Sequence, residues 1–435
     1  MNNLNIIQSS LDYIEDNLKT NITAEELSSI AGFSLFHYYR VFQSVVGLPV
    51  MQYILHRRLV NAIYEISCGN KMIDVAQMYG FETHAGFFKA FKREYDYSPS
   101  EYLKHHKVQK PYKIVLKQEG HIMISNKKIS EMLVNWNLKD EKIGTFYYES
   151  SGVKSENTWY IGDDYLMKSG ANLTRLKLHN DIAMAVQKAG LETTVPVPSL
   201  DGKDYVLEGD TYFCLTTNPK GNCIIAKNLF DEADKTTALN MGEVLGQLHK
   251  ILKKHDKYII CNDNNLFHTI KGWALPKVMH VMNLPNGFYH DYIDTFCELY
   301  KNLQTHAIHR NPTPSDFIMR DGKPVGFIQF ELSERNIRIF DPCYAATAIL
   351  SECFEENSNI KFFNWIDLYK NIIKGYDNVT KLSKTEKQAL PYVIISIQMI
   401  CVAYFSDTGK YAELAKINKN ILELLVQNKE ALMIN

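Results

Sequence analysis

One pattern limits this chain more than any other: a helical segment of its first hundred residues occurs twice. Ala31, Gly32 and Phe33 return 48 positions later as Tyr79, Gly80 and Phe81. Arg40-Val-Phe42 returns at an offset of 49 as Lys89-Ala-Phe91, and Gly47-Leu-Pro49 is echoed by Tyr97-Ser-Pro99. Each copy reads as a short helix, a tight turn built on glycine, and a second helix, which is the helix-turn-helix pattern. Ile6, Ile7, Leu11, Ile14 and Leu18 fall at helical spacing ahead of the first copy. Thr23, Ser34 and Thr83 stand where helix N-caps belong. A long amphipathic helix, about Val50 to Ile66, joins the copies. Two such units on one rigid connector can enter successive major grooves of DNA, about 34 Å apart.

Composition narrows the rest. The chain has 22 glycines and 13 prolines in 435 residues, a shortage of turn formers that favours helix. An apolar share of 46 % and a charged share of 22 % exclude disorder and collagen. The net charge of −1 says nothing for nucleic acid, but its distribution does. Residues 1–83 hold five Lys/Arg against eight Asp/Glu, whereas residues 84–113 hold seven against three. Eight scattered cysteines without a Cys-x-x-Cys pair suggest neither zinc nor disulfides, and fit a reducing cytoplasm. Met1 to Ser10 does not read as a signal peptide. Tyr392 to Phe405, the longest apolar run, reads as a buried helix too short to cross a bilayer, so no membrane partner is expected.

His105 to Val115 is polar, basic and interrupted by Pro111, and reads as a linker. Short β-like runs follow at 145–148, 157–161, 164–168, 204–207 and 212–216, with a helix over about 174–189 among them. After Gly221 the texture is helical, broken by a β-rich stretch at 317–340. Histidines 249, 268, 280, 290, 306 and 309 have no metal-ligand spacing, so no metal site is expected.

The first 106 residues resemble the AraC/XylS family of transcription regulators. The resemblance rests on Ile73-Asp-Val75-Ala76, Gly80-Phe81, Phe87-Phe88-Lys89-Ala-Phe91-Lys92 and Ser98-Pro99-Ser-Glu-Tyr102. Leu27, Ala31, Gly32, Ser34, Arg40, Phe42, Gly47, Tyr53, Arg58, Leu59 and Ala62 extend it. It departs at Gly86, Lys89 and Leu103. By that likeness Leu35, Phe36, Tyr39 and Arg40 face bases from the first recognition helix, and His84, Ala85, Phe88 and Lys89 from the second. Lys92, Arg93 and Lys104 are expected on phosphates. Phe42, Phe87 and Phe91 are assigned to the core, while Phe36, Tyr39 and Phe88 fit either place. Double-stranded DNA is the implied partner, with RNA polymerase and a second copy of the chain left open.

Residues from about 125 onward resemble the aminoglycoside phosphotransferase, choline kinase and homoserine kinase superfamily. Met241-Gly-Glu-Val-Leu-Gly-Gln-Leu-His249, Tyr165-Leu-Met-Lys168 and Leu382-Ser-x-x-Glu386 carry that likeness. The implied fold class is mainly α with α+β: an all-α tandem helix-turn-helix domain, then a bilobal protein-kinase-like domain. The expected boundaries are 1–106 for DNA binding, 107–124 for the linker, 125–219 for a β-rich lobe and 220–435 for a helical lobe. In the superfamily the catalytic loop looks like His-Gly-Asp, four residues, Asn, followed by Ile-Asp-Phe-Glu. Here the loop is His309-Arg310-Asn311-Pro-Thr-Pro-Ser-Asp316, and the later segment is Ile328-Gln329-Phe330-Glu331. The base position is therefore Asn311, the metal positions are Asp316 and Gln329, and the phosphate-contacting lysine is Lys168. His179, Asn180 and Asp181 stand where a glutamate would pair that lysine.

An amide cannot take a hydroxyl proton. The sequence thus predicts a pseudokinase rather than an enzyme, with no cofactor, sensing a small cationic amine or aminoglycoside-like effector. Asp316, Glu331, Glu334 and Asp341 are its expected ligand-facing residues. The alternative is an active phosphotransferase using ATP and Mg²⁺.

Overall fold

The computed structural model describes residues 3–434 apart from 47, 96, 107, 109, 112, 114–123, 148–153, 232, 233, 286, 356–358 and 407–411. Gly47 of the repeat and most of the linker lie outside the described residues. The chain forms two compact units, Met1–Leu173 with Pro196–Asn218, and Thr174–Val195 with Pro219–Asn435.

The first unit opens with seven helices: α1 Asn3–Asn17, α2 Ala24–Ile30, α3 Leu35–Val46, α4 Val50–Ser67, α5 Met72–Met78, α6 His84–Tyr95 and α7 Pro99–His105. The caps sit where the sequence places them. Thr23 Oγ1 accepts from the Glu26 N–H at 3.2 Å, and Thr83 Oγ1 accepts from the Gly86 N–H at 3.0 Å. Gly32 and Gly80 adopt φ of +68° and +81°, the left-handed turn that side chains resist, and this is why both copies keep glycine there. Leu27, Phe42, Tyr53, Leu59, Phe87 and Phe91 are fully buried in one core. Arg57 Nε and Nη2 donate to the two oxygens of Glu15, at 2.5 and 2.9 Å, tying α4 to α1 below the surface. Losing one partner of such a buried pair leaves an unpaired charge, a cost of about 3–5 kcal/mol.

Behind the helices lies α8, Asn126–Leu133, and an antiparallel sheet of β1 Ile143–Tyr147, β2 Lys154–Ile161, β3 Tyr165–Gly170, β4 Val206–Glu208 and β5 Thr211–Thr217. The strand order is β1-β2-β3-β5-β4. Trp136, Trp159, Met167, Phe213 and Leu215 pack with Ile129 and Leu133 of α8 into a second core.

The second unit holds the remainder of α9, Leu173–Lys188, so the expected small lobe at 125–219 is divided between the two units. Its helices are α10 Ala226–Asp231, α11 Lys235–His255, α12 Leu266–Thr269, α13 Leu275–Val281, α14 Phe288–Tyr300, α15 Phe340–Cys353, α16 Asn359–Val379, α17 Lys384–Ser406 and α18 Ala412–Gln427. Three strands, β6 Asn222–Cys223, β8 Phe317–Arg320 and β9 Lys323–Phe327, form one small sheet; β7 Thr305–Ile308 and β10 Glu334–Ile337 form a pair. α17 bears out the reading of the long apolar run as a buried helix and corrects only its length. At 23 residues it is long and apolar enough to cross a membrane, yet 72 % of its apolar window is buried in the fold. Its central amide, Gln398, donates through Nε2 to the Asn418 carbonyl and side-chain oxygens at 3.0 and 2.7 Å, while its Oε1 is buried without a hydrogen-bond partner.

α11 and α16 lie against each other with backbones in contact, which only glycine permits. A Cβ on Gly242 would fall 1.9 Å from the Ile372 carbonyl oxygen, and one on Gly375 would fall 1.9 Å from that of Leu239. Backbone cannot yield as a side-chain tip does. Gly242→Ala is therefore expected to destabilise the protein by about 3 kcal/mol or more, at or beyond the upper end of ordinary overpacking. Chemical denaturation of the variant against the parent measures it; an unchanged midpoint would refute the close approach.

Candidate functional site

The two recognition helices expose different chemistry. On α3, Phe36 is 73 % exposed and Arg40 lies over its ring, 6.0 Å from guanidinium carbon to centroid. Tyr39 is exposed and Leu35 is half-buried. On α6, His84, Ala85, Lys89, Lys92 and Arg93 are exposed, while Phe88 is half-buried with its ring 5.9 Å from His84. Lys104 on α7 is exposed too. Phe42, Phe87 and Phe91 are 0 % exposed, as a core assignment requires. The open choice for Phe36 and Tyr39 falls on the surface.

In the second unit, the loop between β7 and β8 is held by two carboxylates. Asp341, 0 % exposed at the start of α15, accepts from the backbone N–H groups of His309 at 2.7 Å and Arg310 at 2.9 Å. The His249 Nε2–H donates to it at 2.9 Å, and His249 Nδ1 accepts from the Tyr376 hydroxyl at 2.7 Å. Arg310 takes φ of +74°, at the position where the resembling loop has glycine, and its Nε donates to Glu334 at 3.0 Å. Glu334 accepts as well from the side-chain amides of Asn264 and Asn336. Both carboxylates are thus spent on holding the loop. This corrects the expectation that Glu334 and Asp341 face a ligand.

Asn311 Oδ1 accepts from the Tyr344 hydroxyl, which fixes the amide at the base position. Thr313 and Asp316 close a capping box around one 3₁₀ turn, with Pro314 in its first position. Asp316 Oδ2 accepts from the Thr313 N–H at 2.9 Å and from its hydroxyl at 2.6 Å. Burial pushes the Asp316 carboxyl up to about 6; Glu331 adds to the rise, and His309 and Thr313 oppose it. Ile328 stitches the later segment to the loop: its N–H donates to the Asp316 carbonyl and its own carbonyl accepts from His309 Nε2, each at 2.9 Å. Gln329, next in the chain, has φ of +66°. From α9, His179 Nδ1 accepts from the Phe330 N–H at 3.1 Å and lies 3.7 Å from the Glu331 carboxylate. Asp316, Gln329, Glu331, Asn311 and His179 are thereby gathered in one unit. Lys168 is half-buried on β3 of the other unit, across from Thr158 and Cys214.

Among the described residues no three His, Cys, Asp or Glu side chains are grouped to hold a metal by themselves. A Mg²⁺ ion that arrives with a nucleotide needs only one or two carboxylates besides the phosphates. Asp316 and the Gln329 amide oxygen fit that requirement as hard oxygen donors. Sequence reasoning overlooked Tyr344, Thr313 and the His309–Ile328 bond. Only Thr313-Pro-Ser-Asp316 carried a local signal, the spacing of a capping box.

Residues 27–105 match the family described as "Helix-turn-helix domain". The chain is 36 % identical over 97 residues to the HTH-type transcriptional regulator YbfP of Bacillus subtilis, covering 22 % of this chain and 33 % of that protein. It is 36 % identical over 98 residues to the transcriptional activator AarP of Providencia stuartii, covering 22 % and 73 %. Against the multiple antibiotic resistance protein MarA of Escherichia coli it is 33 % identical over 97 residues, covering 22 % and 76 %. The chain thus spans a third of YbfP and about three quarters of the two shorter relatives. Among solved structures, a microcompartment-associated aminopropanol kinase superposes with a TM-score of 0.53 at 11 % identity, over 71 % of this chain and 99 % of that one. Amicoumacin kinase hAmiN superposes at 0.51 and 13 %, over 69 % and 93 %. Aminoglycoside 2'-phosphotransferase-IIIa superposes at 0.50 and 12 %, over 70 % and 99 %.

The fold behind the helices is therefore kinase-like, with a small sheet-bearing part and a larger helical part. The expectation of a non-enzymatic pseudokinase is corrected here. The architecture is that of proteins named as kinases and phosphotransferases across nearly their whole length, and the loop keeps a carboxylate at Asp316.

His306 precedes this loop, buried, with its ring 5.0 Å from His249. Burial, and then the neighbouring His249, hold it down to about 4 from its ordinary 6.5. The unfolded chain takes up that proton first, so stability is full above pH 6.5 and falls as the pH drops toward 4. The loss through this group is up to about 3 kcal/mol. His306→Gln should flatten the pH profile of denaturation midpoints in that window; an equally steep profile would assign the loss to other groups.

Proposed function

Since the chain belongs to the AraC family of helix-turn-helix DNA-binding transcription regulators and carries a phosphotransferase-like domain fused behind that module, we propose that its DNA affinity answers to a small hydroxylated amine held by the second domain. The observation that carries this reading is the loop itself: Asp316, buried and capped by Thr313, is tied through Ile328 to the segment that bears Glu331, whose carboxylate lies 3.7 Å from His179. A cationic amine is the charge complement of such carboxylates. Closure of a domain around such a ligand offers two states for DNA binding to distinguish. The protein acts in the cytoplasm, and RNA polymerase is the partner through which its binding changes transcription.

On DNA, Arg40 is the residue for a bidentate contact to guanine and Phe36 for a thymine methyl. His84, Lys89 and Phe88 serve the second major groove. Lys92, Arg93 and Lys104 hold phosphates, contributing affinity without reading sequence.

Asp316 favours one further step, phosphoryl transfer to the hydroxyl of the same amine. Asn311 cannot accept the hydroxyl's proton, so that proton passes to water as the γ-phosphoryl group of ATP is transferred and ADP leaves, and Asp316 acts through the metal. Asp316 and Gln329 would hold Mg²⁺, and Lys168 would contact phosphate. The ion supplies charge neutralisation on the phosphoryl group.

Two sets of measurements test the proposal. Arg40→Ala should cost about 1–3 kcal/mol of DNA affinity and relax sequence preference, whereas Lys92→Ala should weaken all sequences alike and reduce the salt slope by about 1. Equal behaviour of the two variants would sink the assignment. Thermal melts of the full chain with an amino alcohol, an aminoglycoside, and AMP-PNP with Mg²⁺ come second. A ligand at a hundred times its Kd should add about 2.7 kcal/mol of stability and shift the DNA Kd. If no amine raises the Tm, the effector reading fails. Labelled phosphate from ATP appearing on the amine, and vanishing in Asp316→Asn, would establish transfer.

A further inference from the structure

Tyr147 of the sheet of the phosphotransferase-like domain reaches into the DNA-binding module. It ends β1, the edge strand of the sheet. Pairing with β2 runs regularly through Thr145 opposite Trp159, then slips, so that Tyr147 stands opposite Lys154. Such a bulge re-aims the side chain that follows it. The consequence is visible in the packing: Tyr147 lies against the core of the helix-turn-helix domain rather than with Trp159, Met167 and Phe213 of its own sheet.

Its contacts there are directional. The Tyr147 hydroxyl donates at 2.6 Å to the carbonyl of Tyr95, the last residue of α6. A carbonyl in that place has no partner within its helix. The Tyr147 ring stacks on His106, 4.6 Å between centroids at 23°. His106 in turn lies 4.6 Å from Tyr102 and 5.0 Å from Tyr97, and Tyr102 meets Phe91 and Tyr95 at 5.4 and 5.2 Å. A continuous run of rings thus joins β1 to the buried face of the second recognition helix. Lys113, further along the chain, pairs with Asp16 of α1.

We propose that Tyr147 is a strut that fixes the position of α6 relative to the sheet, so that DNA binding and occupancy of the sheet bearing Lys168 are energetically coupled. The inference rests on α6 being a DNA-reading helix. Coupling of this kind is reciprocal: whatever biases the sheet biases α6, and DNA seated on α6 must bias the sheet. The reciprocal direction can be tested with DNA alone.

The experiment is hydrogen exchange on the full chain, with and without a duplex carrying a site selected from a random pool. In the parent protein, DNA should slow exchange in α3 and α6, and should slow the amides of β1 to β3 by about three-fold or more. In Tyr147→Ala the protection of α3 and α6 should remain while the response of the sheet disappears. Tyr147→Phe keeps the ring and loses the bond to Tyr95, and should halve the sheet response; it decides the matter if the alanine variant does not fold. Protection of α3 and α6 with an unchanged sheet in the parent would overturn the strut, as would a sheet response that survives in both variants. Exchange unaffected by DNA anywhere would overturn the DNA-reading assignment itself.

Discussion

The second unit depends on the contact between α11 and α16. Gly242 and Gly375 let two helix backbones meet where any side chain would hold them apart. That approach brings His249, on the same helix as Gly242, against the Tyr376 hydroxyl of the other helix. With one ring nitrogen so engaged, the other presents its N–H to Asp341. Asp341 then gathers the first two N–H groups of the loop. A close packing of two helices is in this way converted, through one histidine and one carboxylate, into the position of the functional loop. None of these links involves Asn311, Asp316 or Gln329. The anchoring of the loop's first residues is therefore separate from the local bonds that Asn311 makes with Tyr344 and Asp316 with Thr313.

The first unit is built on other forces. Its helices are short, and helices of seven to twelve residues are marginal alone. Caps at Thr23, Thr83 and Ser98 remove unsatisfied N–H groups, and a run of aromatics from Tyr38 through Phe42 and Tyr53 supplies buried area. The buried Arg57–Glu15 pair ties α4 to α1, and removing either partner would leave the other charge buried. What such a core leaves outside is informative. Phe36 is largely solvent-exposed in a domain that buries Phe42, Phe87 and Phe91 completely, and Arg40 already lies over its ring.

How much of this could be read from the sequence depended on range. Gly32 and Gly80, the caps and the helical spacing are local signals, so the first six helices were legible almost to the residue, while α7 was not among those expected. The kinase-like fold was legible through Met241 to His249, whose glycines and histidine have fixed structural tasks. Contacts between residues far apart in sequence were not legible. Nothing near Tyr344 signals that it bonds Asn311, and nothing near Tyr147 signals that it leaves its sheet. Glu334 and Asp341 were misassigned for the same reason: an acid beside a catalytic loop has the same local sequence whether it faces a ligand or holds backbone. The apolar run in α17 was underestimated because its first turns, from Lys384, are polar in sequence though continuous in structure.

Backbone strain shows what the loop anchors accomplish. Arg310 and Gln329 both adopt left-handed φ without being glycine, one on each side of Asp316 in sequence. Each such residue costs of order 1 kcal/mol, and persists only where its surroundings leave no other choice. For Arg310 the constraint is explicit: Asp341 holds its N–H and Glu334 holds its guanidinium. For Gln329 it is the preceding residue, Ile328, bonded on both faces to Asp316 and His309. A glycine at position 310 would adopt the same turn without strain but would have no side chain for Glu334 to grip. Arginine exchanges backbone comfort for an anchor. The site is accordingly set before any ligand arrives, and a ligand that meets Asp316 and Glu331 need not spend its binding energy on ordering the loop.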